Sequence, residues 1–194
     1  MPPEGSPAPS RKPRADAERN RLRLLEAARA AFASGGTGAS LEDVARAAEV
    51  GIGTLYRHFP TRDALIAEVY RNEAAKLYDH ARELADSQPP IAALRTWLLL
   101  FVDYLSTKLI LVEALKAMVE GDSARPKATS GEQLTAAASL LVGRAVASGE
   151  ISADGLDPID LLRAITGVAM AGAGPDWDQA ARRMVDVLIN GLRR

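Results

Sequence analysis

The 194-residue sequence contains no cysteine and two histidines, His58 and His80. Without thiols it has no disulfide framework, cysteine nucleophile, iron–sulfur ligation or cysteine-type zinc site. Two histidines are too few for a three-histidine metal site, and neither stands in an H-E-x-x-H pattern. As a catalytic base each lacks a partner: no nucleophile stands at motif spacing from His58, and Asp79 neighbours His80 without facing it. Neither a metal nor a cofactor is expected, nor an enzyme. Long apolar runs are missing as well, since no window approaches the roughly eighteen uncharged residues of a membrane span. The longest patches, W-L-L-L-F-V at 97–102 and L-I-L-V at 109–112, each have an acid close by and read as buried helix or, less economically, strand. The N-terminus, MPPEGSPAPSRKPRA, lacks the apolar core of a secretory signal. These absences lead to the expectation of a soluble, cytoplasmic chain with no membrane partner. A surplus of one charge is also absent: 24 basic side chains face 25 acidic ones, for a net −1. Taken over the whole chain, that balance argues against a nucleic-acid partner, because such domains are usually basic.

What the sequence does have is alanine, leucine, arginine and glutamate, the best helix formers, so the predicted class is all-α with about nine helices. Residues 1–14 are rich in proline and serine around Arg11, Lys12 and Arg14, and read as a disordered basic arm. From Asp16 an apolar stripe of Leu22, Leu25, Ala28 and Phe32 predicts a helix ending at Gly35-Gly36, with Arg19, Arg21 and Arg23 on its other side. Ser40 caps the next helix, with Asp43 placed to reach back in a capping box. The break Glu49-Val50-Gly51 precedes a short helix through G-T-L-Y-R-H-F. Pro60 ends that helix, and Thr61 caps a long one over about 62–84. Further helices are predicted near 91–106, 108–119, 130–148, 158–172 and 176–191. Their separators are a charged turn at Thr107, a mobile loop at 121–131, and glycine-containing stretches at 149–157 and 172–175. No internal repeat is visible.

One segment carries chemistry. SLEDVARAAEVGIGTLYRHF at 40–59 is two short helices across a tight turn, which is helix-turn-helix geometry: the first braces the second, whose outer face can enter a major groove. Leu41, Val44, Ala45, Ala48, Val50, Leu55 and Phe59 supply the inward contacts. The outer face carries Ile52, Gly53, Thr54, Tyr56, Arg57 and His58. A merely solvated helix would show glutamate and lysine there. Short residues at the front instead permit close approach to base edges, and the larger polar groups behind them can bond phosphates.

Together with its continuation, GIGTLYRHFPTRDALIAEVY at 51–70, this segment resembles the TetR family of bacterial transcriptional regulators over about residues 20–70. The resemblance implies a three-helix DNA-binding domain at 15–60, and at 61–194 a helical domain for ligand binding and dimerisation. It also implies phosphate contacts from Tyr56, His58 and Arg62, base reading by Ile52, Gly53 and Thr54, and a place for Ser40 beside the DNA. Two positions depart from the family pattern: Glu49 replaces the usual turn glycine, so either it adopts a left-handed conformation at about 1 kcal/mol or the turn takes a slightly different form. Gly51 stands where a serine or threonine usually caps the reading helix, at a cost of a few tenths. FVDYLSTK at 101–108 and SGEISADGLDPIDLL at 148–162 resemble the C-terminal region of SbtR-like regulators within that family.

Segment by segment, the charge changes meaning. Residues 1–62 carry ten basic and seven acidic side chains, a net +3, and residues 63–194 carry fourteen and eighteen, a net −4. A basic reading head and an acidic body cancel in the average. In that body Trp97, Phe101, Tyr104, Met118 and Met170 read either as core or as the lining of an effector pocket. Arg144, with Asp103, Lys108 and Glu113, is a candidate polar group there, although most of these four read first as surface. Ile165, Val168 and Ala169 on one helix, and Trp177, Ala181, Met184, Val185 and Leu188 on the next, read either as internal core or as a dimer interface. The resemblance favours the interface. The function so implied is a homodimeric repressor released from a double-stranded palindromic operator by a largely apolar small molecule. A ligand-responsive activator of the same fold, or a helical interaction or carrier protein that binds no DNA, stands as the alternative.

Overall fold

The computed structural model describes residues 13–120, 129–152, 155–171 and 176–193; the side chains of 13–14, 112–120 and 129–130 are not among those described. The expected arm through residue 12 and most of the expected loop at 121–131 therefore lie outside the described residues. The described elements are eight α-helices: α1 (Pro13–Gly35), α2 (Leu41–Ala47), α3 (Ile52–His58), α4 (Arg62–Ser87), α5 (Pro90–Glu120), α6 (Thr129–Ala147), α7 (Pro158–Ala171) and α8 (Trp177–Leu192). A single 3-10 turn, Gly36–Gly38, follows α1, with Gly36 at φ +62 serving the left-handed stop.

Helix starts follow the local chemistry. Ser40 Oγ accepts from the Asp43 amide at 3.2 Å, and Thr61 Oγ1 accepts from the Ala64 amide at 3.0 Å. The return half of the capping box does not form, because the short Asp43 carboxylate pairs outward with Arg46. Proline stands first in α5, where its missing N–H costs nothing.

One predicted separator is overturned. The expected turn at Thr107 is absent and α5 runs unbroken through it, so eight α-helices replace the predicted nine among the described residues. Ser106-Thr107-Lys108 contains neither glycine nor proline, and Ser106 Oγ satisfies itself on the Val102 carbonyl one turn back, at 3.3 Å.

Helix α1 also sits differently from its predicted stripe. Leu24, Leu25, Ala28 and Phe32 are buried, whereas Leu22 is 48% exposed; at ~100° per residue it lies about a quarter-turn round from that face. Arg21, predicted on the outer side, turns inward instead, pairing with Glu68 of α4 and lying 5.8 Å above the Phe59 ring.

Two cores result. The first joins α1, α2, α3 and the start of α4 through Phe32, Val44, Leu55 and Phe59. The second fills the body with Trp97, Leu98, Leu141, Ile165 and Val185 among others. They are not independent: Tyr70 of α4 packs against both, and Leu111 of α5 is fully buried in the first. The far end of the chain is tied back by the Ser152 amide, which donates to the Leu192 carbonyl at 3.1 Å.

Candidate functional site

The reading head is built from the turn outward. Glu49 takes φ 55, the left-handed value that a turn of this length demands of its central residue, and its carboxylate meets Arg23 at 3.0 Å. Gly51 opens α3 without a side-chain cap. Leu55 is fully buried and anchors α3, which leaves Ile52, Gly53, Tyr56 and Arg57 exposed and Thr54 and His58 half-buried. Tyr56 is 46% exposed despite its large ring, and the His58 ring tilts against Phe59 at 6.1 Å. Six of the sequence-predicted residues thus lie on one short helix, Ile52, Gly53, Tyr56 and Arg57 on its exposed side and Thr54 and His58 on its flank.

Ser40 caps α2 and Arg62 opens α4, and both make bonds within the head. Ser40 Oγ caps α2 and also donates to Glu42 Oε2 at 3.2 Å. Arg62 Nη1 donates to the Thr37 and Ala39 carbonyls at 2.8 and 2.7 Å, which ties the start of α4 to the turn after α1. No spacing in the sequence announces a bond between residues 25 positions apart.

Behind the head, α4 and the body helices α5, α6 and α7 line an open cavity of about 450 Å³. Phe101, Tyr104 and Met170 line it, as do Leu105, Lys108 and Leu134. Tyr104 stacks between Phe101 and Tyr70, with ring centroids at 5.9 and 5.7 Å. Its hydroxyl is buried beside the Tyr70 phenol, without a well-formed hydrogen bond among the described residues. Burial first, and the neighbouring Tyr70 phenol second, push the Tyr104 phenol far up, so it stays protonated at any physiological pH.

The other predicted pocket residues are placed elsewhere. Trp97 lies fully in the core and donates its indole N–H to the Leu77 carbonyl at 2.8 Å. Arg144 is half-buried away from the cavity, with Nη1 unpartnered. Asp103 pairs across to Arg182 of α8, and the side chains of Met118 and Glu113 lie outside the described residues. Sequence reasoning missed Tyr70, Ile159, Leu162 and Arg163 as lining residues. Tyr70 closes the apolar run of the motif segment, and that position was the one available signal.

On the last two helices the predicted interface divides. Ile165, Ala169, Ala181 and Val185 are buried in the core of their own chain. Val168, Trp177, Met184 and Leu188 are half-buried, and Val187 is 61% exposed. Val187, with the half-buried Ala180 and Met184, lies on the outer side of α8, whereas Val168, Trp177 and Leu188 also pack against the core of their own chain.

Among the described residues, no group of three or more histidine, cysteine, aspartate or glutamate side chains could hold a metal ion, and no helix is long and apolar enough to cross a membrane. A helix-turn-helix with an exposed outer face, carried on a helical body with an open cavity, is the architecture of a DNA-binding transcriptional regulator. The family model for bacterial regulatory proteins of the tetR family matches residues 24–69, and the one for the C-terminal domain of SbtR-like transcriptional regulators matches residues 89–194. A TetR transcriptional regulator from Streptomyces coelicolor is 40% identical, superimposes with a TM-score of 0.81, and is matched over 89% of this chain and 98% of its own. A TetR regulatory protein from Mycobacterium vanbaalenii is 30% identical at a TM-score of 0.73, with 93% and 99% covered. The HTH-type transcriptional regulator UidR of Escherichia coli K12 is 33% identical over 96 residues, 49% of this chain, and the match spans 43% of UidR. The chain belongs to the TetR family of transcriptional regulators.

Proposed function

We propose that the chain acts, in the cytoplasm, as a homodimeric repressor that leaves a palindromic operator when a small, largely apolar molecule fills the body cavity, and that it belongs with the SbtR-like regulators. The observation that carries the DNA half is the outer face of α3, where short residues lead and Tyr56 stands 46% exposed with no core to serve. Ile52, Gly53 and Thr54 approach the base edges; Tyr56, Arg57 and His58 meet phosphates. Ser40 adds a hydroxyl from the neighbouring helix. Arg62 holds the adjoining turn through Nη1 and offers its remaining N–H donors to the backbone.

The match over residues 89–194 supports the SbtR-like placement. The apolar Met184 and Val187 on the outer side of α8 support dimerisation through a four-helix bundle of α7 and α8, with the half-buried Val168 and Leu188 beside them at the two-fold axis. The cavity supports effector control. Its wall includes Tyr70, which also packs into the reading-head core, so a guest that moves Tyr70 acts on α4 and the head together. For derepression the guest must bind the DNA-incompetent form more tightly, since a ligand shifts an equilibrium only by its differential affinity.

Enrichment of duplexes from a random pool by the full chain, with sedimentation of the resulting complex, tests this reading. The expected outcome is a two-fold symmetric site with half-sites about one helical turn apart or slightly more, occupied by dimers. Val187→Glu is expected to yield monomers with greatly weakened binding. An unenriched pool, or an asymmetric site bound by a monomer, contradicts the proposal.

A further inference from the structure

The walls of the cavity are not uniformly apolar, and their polar groups share one sign. Two charged side chains line it, Lys108 and Arg163, and neither aspartate nor glutamate is among the lining residues described. Lys108 has no ion pair or hydrogen bond among the described residues. Arg163 pairs with Asp160 at 2.8 Å, but the two side chains are 67% and 52% exposed. A pair so exposed contributes little and exchanges readily for another anion. Tyr104 and Lys108 stand four residues apart on α5, which puts the buried phenol and the ammonium on one face of the helix. Deeper in, Phe101, Leu134 and Leu162 offer hydrocarbon and ring surface.

We propose that the cleft takes an amphiphilic carboxylate: an apolar or aromatic body against Phe101 and Leu162, with its acid group held by Lys108 and Arg163. This deepens the effector reading above and rests on it. Two features converge. Lys108, without an ion pair or hydrogen bond among the described residues, and Arg163, in an exposed and readily exchanged pair, put two cations on the lining beside apolar and ring surface, and a carboxylate on an apolar body pairs with both. No acid is among the described lining residues, so a cationic guest meets two like charges there.

Calorimetric titration of the full chain with 4-phenylbutyrate and with decanoate, each beside its alcohol and its amine, tests the inference. The acids are expected to bind about tenfold or more tightly than the alcohols, and the amines more weakly than either. Lys108→Met with Arg163→Gln in one chain should collapse the acid's advantage to below about threefold while leaving alcohol affinity in place, which also reports an intact cavity. An alcohol or amine that binds as tightly as its acid overturns the anionic assignment and leaves the effector cavity standing. So does an acid advantage that survives the double variant. Binding by none of the six compounds removes the effector reading and this inference with it.

Discussion

At Gly53 the reading helix has room for a larger side chain: an added Cβ would meet no atom within 4 Å. Folding therefore does not require glycine there, and in a helix glycine costs about 0.5–1 kcal/mol relative to alanine. Gly53→Ala is expected to stabilise the chain by roughly that amount in urea unfolding while weakening operator binding, because the added methyl occupies space reserved for a base edge. Unchanged affinity would remove Gly53 from the interface. Arg62 divides the other way, since truncation to alanine strips two carbonyls of their donor. Arg62→Ala should cost about 1–3 kcal/mol of stability as well as DNA affinity, and separating the two effects requires unfolding and binding measured on the same protein. Legibility at this scale followed range. Ser40 and Thr61 act within three residues of themselves, and the sequence alone places them; at Glu49 the sequence leaves a left-handed residue and an altered turn both open, and the structure has the former. The bonds from Arg62 to Thr37 and Ala39 depend on how α4 crosses the end of α1, which no local pattern encodes.

Elements were legible where a breaker or cap marks them, as with α2, α3 and the start of α4. Helix α5 was split in error at Ser106-Thr107-Lys108, because a polar triplet between apolar patches imitates a turn when it is only the outer side of a continuous helix. Continuity matters, because α5 carries Phe101 and Tyr104 to the cavity and then delivers Leu111 to the reading-head core. Thr107→Pro breaks that single helix and should cost about 3 kcal/mol or more, seen as a large drop in melting temperature; two helices joined there would tolerate it. The contact of α1 with α4 has an electrostatic signature of its own. Glu26 meets Arg29 at 2.8 Å and Lys76 at 2.9 Å, while Lys76 also meets Glu73 at 2.9 Å. Hydrogen bonds from Arg29 and then Lys76 hold the Glu26 carboxyl at about 2, against an ordinary 4.5. A carboxyl lowered in the folded state contributes stability that is complete above pH 4.5 and is lost as pH falls toward 2. Because the group is half exposed and screened, Glu26→Gln should cost at most about 1 kcal/mol at neutral pH. That difference should shrink steadily in urea titrations run below pH 4.5.

For the molecule as a whole, the near-zero net charge conceals a +3 head joined to a −4 body. Apolar periodicity found the body helices but could not sort their buried residues. Trp97 and Phe101 lie four residues apart and stack at 6.1 Å, yet only Phe101 reaches the cavity. In the same way Val185 faces its own chain while Met184 and Val187 face outward. A stripe of apolar residues states that a face is covered, and only the packed fold shows whether a core, a guest or a second subunit covers it. The central claim is that the outer face of α3 grips DNA. Fluorescence anisotropy on the enriched duplex, comparing the natural chain with Tyr56→Ala plus Arg57→Ala at several salt concentrations, tests it most directly. The expected result is a loss of about a hundredfold or more in affinity and a shallower salt dependence, with unchanged helicity and melting temperature. Equal affinity and an equal salt slope in the two proteins would contradict the account.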